Sequence, residues 1–124
     1  MNDIIMTYES FKENELNERK IPKSLFNKVE LTNKWIKEIS KEDLFAIEPD
    51  STWESSYDFK EIKHPNNFMT IEYTEFGGAK DKHKERFSLK NEQGLEDAMW
   101  HLSWIIRSIK KGFREAGQKV PTIK

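Results

Sequence analysis

The chain has 124 residues, of which 35% are charged, 35% hydrophobic and 12% aromatic, and its 21 basic and 22 acidic side chains leave a formal net charge of −1. That length makes one domain, residues 1–124, around a single core, and the balance of charge argues against a long nucleic-acid partner held by a large positive field. With no cysteine in the chain, disulfides, thiolate catalysis, thiolate metal sites and iron–sulfur ligation are excluded, and a reducing cytoplasm is the expected location.

The start, MNDIIMTYES, lacks a basic segment followed by a long apolar run, and no apolar stretch approaches the roughly 18 residues that span a bilayer. No membrane partner is expected. Thr7 can cap a short helix through Tyr8, Phe11 and Leu16, which the Ile21-Pro22 step interrupts. Pro22 suits the first turn of a second helix at about 22–40, with Ile21, Leu25, Val29, Ile36 and Ile39 on one face and Trp35 on its flank. From Glu48 the pattern changes: Pro49, Asp50, Ser51 and Thr52 make a turn, and Trp53, Ser55, Tyr57 and Phe59 alternate with polar neighbours as in a strand.

A second turn, His64 to Asn67, leads into a strand from Phe68 to Phe76 with Met69, Ile71 and Tyr73 on one face, giving a hairpin. Gly77 and Gly78 then open a hydrophilic segment, AKDKHKE, expected to be the most mobile loop, before a shorter strand carrying Phe87 and Leu89. The run from Lys80 to Arg86 reads as a solvated loop or as a flap that folds over an anionic ligand. Asn91 is a good N-cap for the final helix, Gly117 can end it, and Pro121 stops its continuation. The order predicts an α+β domain: N-terminal helices, an antiparallel β meander of three to four strands, and a long amphipathic C-terminal helix packed on the sheet.

Few chemical signatures stand out. His64, His83 and His101 fall in a turn, a loop and a helix with no spacing that makes two of them ligands of one metal. No phosphate-binding loop, dinucleotide fingerprint or nucleophile elbow is present, and Gly77-Gly78 reads as a hairpin device. Glu72 and Glu75 fall on opposite faces of a strand and form no catalytic pair. No catalytic residue, metal or cofactor is expected, and the chain is read as a binding protein and not an enzyme.

The last helix carries the strongest signal. At about 100° per residue, Leu95, Ala98, Met99, Leu102, Ile105, Ile106, Ile109, Phe113 and Ala116 form a core stripe. The same advance gathers Trp100, Trp104, Arg107, Lys111 and Arg114 into an opposite arc roughly 80° wide, where a surface helix normally shows only solvated polar residues. One reading buries the indoles against the N-terminal helices or a second copy of the chain, ringed by the cations. The other stacks a base on an indole, for roughly 1–3 kcal/mol, while Arg107, Lys111 and Arg114 receive phosphates of a small phosphorylated nucleotide. In that reading Phe76 and Phe87, at strand ends, are further stacking candidates, and Asn91 reads a polar edge.

The segments FMTIEYTEFGG, FSLKN and MWHLSWIIRSIKKGFR, in a small lysine-rich and aromatic-rich α+β chain, resemble the phage-encoded anti-Thoeris sponges that sequester a cyclic ADP-ribose signal. The resemblance covers mainly Phe68 to Gly117. It implies a homodimer or higher homo-oligomer that binds an intact cyclic nucleotide immune signal in the host cytoplasm without cleaving it. A protein-directed inhibitor of a host defence complex, such as an anti-CRISPR protein, is the alternative, with the same helical stripe as its protein contact.

Overall fold

The computed structural model describes residues 21–123, so the helix expected from Thr7 lies outside the described residues. Helix α1, Lys23–Lys41, follows Pro22, whose extended backbone (φ −62°, ψ 140°) makes it the N-cap. Leu25, Val29, Thr32, Trp35, Ile36 and Ile39 form its buried face, so Trp35 belongs to the core and not to the flank. Asp43 takes the left-handed conformation (φ 56°) just past the helix. Its N–H donates to Ser40 O, and Leu44 N–H to Ile39 O, which satisfies carbonyls that a helix end otherwise orphans.

Four strands follow, β1 Ala46–Ile47, β2 Ser56–Phe59, β3 Phe68–Phe76 and β4 Lys80–Ser88. They pair antiparallel in chain order, β1-β2-β3-β4. The ladder aligns Ala46 with Tyr57, Tyr57 with Glu75 and Phe59 with Tyr73. Across β3 and β4 it aligns Met69 with Phe87, Ile71 with Glu85, Tyr73 with His83 and Glu75 with Asp81. Because side chains alternate, these residues share the inner face. Thr70, Glu72 and Phe76, with Lys80, Lys82, Lys84 and Arg86, share the outer one.

Helix α2, Glu92–Glu115, runs along the inner face. Asn91 caps it by accepting the Gly94 N–H at 2.7 Å, and Gly117, at φ 74°, closes it. Gly117 N–H donates to Arg114 O and Gln118 N–H to Phe113 O, the same device that ends α1. Ala98, Leu102, Ile105 and Ile109 are fully buried, whereas Ala116 is exposed and lies past the core stripe. At Gly112 the helix meets β1: a Cβ there would collide with the Phe45 carbonyl and stand 3.2 Å from Ala46 Cα. Helix α1 packs on α2 and is tied to the β2–β3 connector by Asn33, which accepts the Ile62 N–H at 2.8 Å and donates to Ile62 O at 3.1 Å.

Three expectations about the strands change. The strand expected from Trp53 begins only at Ser56, and Trp53 stands in the preceding loop, 71% exposed. The segment expected to be a mobile loop is β4, nine residues long and paired with β3 over its whole length. Its reading as a solvated loop followed hydropathy. The alternation that matters, KDKHKERF, is one of charge, and β3 supplies the backbone partners that the apolar pattern alone does not advertise. Leu89, placed on that strand by the sequence, lies just beyond it and is fully buried.

Candidate functional site: an aromatic cleft over the last helix

The segment after β1 decides the fate of the helical stripe. Glu48 enters the Pro49–Ser51 turn, its carboxylate accepting Asp50 N–H at 2.9 Å. Its Oε1 also accepts the Tyr57 hydroxyl at 2.9 Å and Trp104 Nε1–H at 3.3 Å, and its backbone oxygen accepts Lys111 Nζ at 2.7 Å. Arg107 pairs with the Asp50 carboxylate. One turn thus covers the middle of the arc of α2 that the helical period sets opposite the core, at Trp104, Arg107 and Lys111, and leaves Trp100 and Arg114 exposed.

Trp104 is consequently 7% exposed, which corrects its placement on an outward face. Its ring meets Tyr57, Phe59 and Tyr73 edge-on, with centroids 5.0, 5.4 and 5.6 Å away, the offset that the aromatic quadrupole favours. Trp100, one turn earlier, remains 55% exposed. Between them lies an open cleft of about 380 Å³, lined by Trp100, Trp104, Tyr73 and His101 and rimmed by Glu48, Asp50 and Ser51.

A polar row continues from the cleft along the inner face. Tyr73 donates its hydroxyl to Glu85 at 3.3 Å and stacks on His83 at 4.9 Å. His83 meets Glu75 at 2.9 Å. His101 faces the Asp97 carbonyl through Nδ1 at 2.8 Å and Glu85 through Nε2 at 3.3 Å. Burial, the negative charge of Glu85 and the hydrogen bond to it push the Tyr73 phenol up to about 12. Burial first, and then the bond to Glu48, push the Tyr57 phenol further in the same direction. Both phenols are therefore neutral donors that hold carboxylates in place.

The other predicted site residues are dispersed. Arg107 and Lys111 lie beside the cleft but are already paired, and Arg114 is exposed further along α2. Phe87 packs on His101 at 4.7 Å on the inner face, behind the cleft. Phe76 is on the outer face, edge-on to Phe45 at 5.3 Å, and the sheet separates it from both indoles. Asn91 spends its side-chain oxygen on the cap of α2, nine residues or roughly 13 Å of helix from Trp100. Sequence reasoning missed Glu48, Asp50, Tyr73 and His101 as cleft residues. The Glu-Pro-Asp-Ser run was visible as a turn, but only its crossing of α2 makes it a rim.

The cleft offers flat aromatic walls and fixed acceptors. It suits a planar group with donors on its edge more than a bare anion. Among the described residues no group of three or more His, Asp and Glu is arranged to hold a metal ion, and no helix is long and apolar enough to cross a membrane. No protein-family model matches the chain, and no match is found among curated proteins or solved structures.

Proposed function

We propose that the protein captures a nucleotide signal of the cyclic ADP-ribose type without cleaving it, serving a phage or mobile element against a host defence. The observation that carries this reading is the cleft between Trp100 and Tyr73, with the Glu48 and Asp50 carboxylates at its rim and two cations directly beyond. A purine stacked on Trp100 gains roughly 1–3 kcal/mol, and its exocyclic amine finds acceptors at the rim. Phosphates then compete with Asp50 for Arg107. That exchange is inexpensive, because the pair is about 40% exposed on both sides and such pairs contribute only about 0–1 kcal/mol.

Capture without reaction is favoured by the state of the reactive groups. Ser51 Oγ is engaged with the Trp53 backbone, and both ring nitrogens of His101 face oxygen acceptors. The test is calorimetry against cyclic ADP-ribose isomers, linear ADP-ribose and cyclic dinucleotides, followed by heat release and mass spectrometry of the ligand. Micromolar binding lost in Trp100→Ala, with the ligand recovered intact, supports the reading. Absence of binding across the panel, or recovery of a cleaved product, overturns it.

A second reading has its own support. Trp53, Trp100 and Phe45 are 71%, 55% and 51% exposed, and exposed Trp is the side chain most enriched at protein-binding hot spots. A protein-directed inhibitor of a defence complex would use them, as would a homo-oligomer. A stoichiometric host protein retained by the wild type and lost in Trp53→Ser favours the inhibitor. A concentration-dependent mass in sedimentation, reduced in the same variant, favours self-assembly.

A further inference from the structure

We propose that the outer face of the sheet is a second binding surface, for single-stranded nucleic acid. It is independent of the cleft, from which the sheet separates it. On β4 the register sends Lys80, Lys82, Lys84 and Arg86 to one side and Asp81, His83, Glu85 and Phe87 to the other. A strand advances about 3.4 Å per residue, so the four cations recur every ~7 Å along one line. That repeat is compatible with the phosphates of an extended single strand. Lys82, Lys80 and Arg86 have no carboxylate partner among the described residues, and Lys84 has only Glu72 at 3.8 Å, with both side chains well exposed.

The face holds more than charge. The Arg86 guanidinium lies 3.9 Å over the Phe68 ring, a flat platform on which a base can stack. Beside it is a hollow of about 360 Å³ lined by Asn66, Phe68, Thr70, Lys84 and Arg86. A neighbouring hollow of about 220 Å³ shares Thr70 and is lined by Lys60, Lys63, Glu61 and Glu72. Together they form a shallow groove that crosses the sheet from the β2–β3 connector to β4. Asn66 and Thr70 supply donors and acceptors between the cations, as base edges require.

The shape selects the partner. The cation row and the half-buried Phe68 ring lie along the sheet surface, where unpaired bases of a single strand can stack and the already stacked bases of a duplex cannot. Lysines on an edge strand also discourage pairing with another sheet, but that role needs no particular face. Here the β4 cations share a face with Phe68 and the β4 acids take the other, while Glu72 of β3 and Asp58 of β2 are carboxylates on the cationic face. The net charge of −1 conceals this row, since the only two carboxylates of β4, Asp81 and Glu85, lie on the inner side and leave its four cations in excess.

The experiment is fluorescence anisotropy with labelled 12-nucleotide oligo(U) and oligo(dT) on the full chain, from 50 to 300 mM salt. Engagement of about four phosphates gives a log–log salt slope near −3. Lys82→Ala/Lys84→Ala, both exposed positions, should lower affinity at least about tenfold and flatten the slope by about 1.4, with unchanged circular dichroism. Trp100→Ala should bind as the wild type does. The proposal is overturned by no binding at 50 mM salt, by an unaffected double variant, or by loss of binding in Trp100→Ala, which would put the oligonucleotide in the cleft. Equal affinity for a duplex, a heparin fragment or phosphatidylserine vesicles would also overturn it, as an unspecific response to charge.

Discussion

Glu48 holds three elements together, so its removal should reveal how the cleft is built. In Glu48→Ala, Tyr57 and Trp104, both 7% exposed, lose their acceptor, and the Asp50 N–H loses its own at a site open to water. A hydrogen bond to a charged group contributes about 1.5–3 kcal/mol. The 3.3 Å bond from Trp104 belongs at the low end, and water entering the cleft recovers part of both, which leaves an expected loss of roughly 2–4 kcal/mol. Glu48→Gln keeps an acceptor oxygen and the turn, and should cost about 1 kcal/mol. Urea unfolding followed by tryptophan emission measures both, and emission of the native state should shift to the red in Glu48→Ala as Trp104 becomes wet. A loss below about 1 kcal/mol in Glu48→Ala, or equal losses in the two variants, would show that packing alone closes the turn over α2.

The two stripe indoles should separate in the same assay: Trp104→Ala, which empties the centre of four rings, costs about 3–5 kcal/mol, and Trp100→Ala stays within about 0.5 kcal/mol. Among the described residues Ser108 Oγ is buried without a hydrogen-bond partner, so Ser108→Ala should raise stability by about 1 kcal/mol in urea titration. Gly112→Ala gains up to about 1 kcal/mol in helix propensity but drives a methyl into the immovable Phe45 carbonyl. A net loss of roughly 2 kcal/mol is expected, read by the thermal midpoint. The raised phenols of Tyr73 and Tyr57 bind their protons more tightly in the native state than in the unfolded one, so their contribution is intact below pH 10 and falls as pH rises from 10 towards 12. Stability measured at pH 9 and 11 should drop, and the drop should shrink in Tyr73→Phe.

Periodicity made the helices and β3 legible. The 3.6 period of α2 located its core stripe, and Asn91 and Gly117 marked its ends because cap chemistry is local. The two-residue β1 carries no periodic signal at all; it exists because Gly112 lets the chain approach α2 closely. Trp53 and Trp104 were misplaced for one reason. Alternation and helical phase state which residues share a face, and only the path of the Glu48–Ser55 segment states which face is covered. The aromatic and cationic content of the site was therefore visible, whereas its carboxylate rim was a tertiary fact.

Strand β4 shows how a nearly neutral chain builds two surfaces of opposite character. Its four cations at even positions and its two carboxylates at odd positions are lost to view in a chain whose net charge is −1, yet the pleat sends them to opposite sides of the sheet. On the inner side Glu85 holds Tyr73 and His101 in position beside the cleft. On the outer side Arg86 and Lys84 meet Phe68 and Thr70. A one-residue slip of β4 against β3 would exchange the two sets, placing lysines under Tyr73 and carboxylates on the solvent face. Register is therefore the variable on which both sites depend. Phe87, on the inner face against His101, is the one large apolar side chain of β4 that penalises such a slip. Phe87→Lys should consequently disturb His101 and the cleft as well as stability, and a proton spectrum in which the His101 ring signals stay in place would refute that coupling.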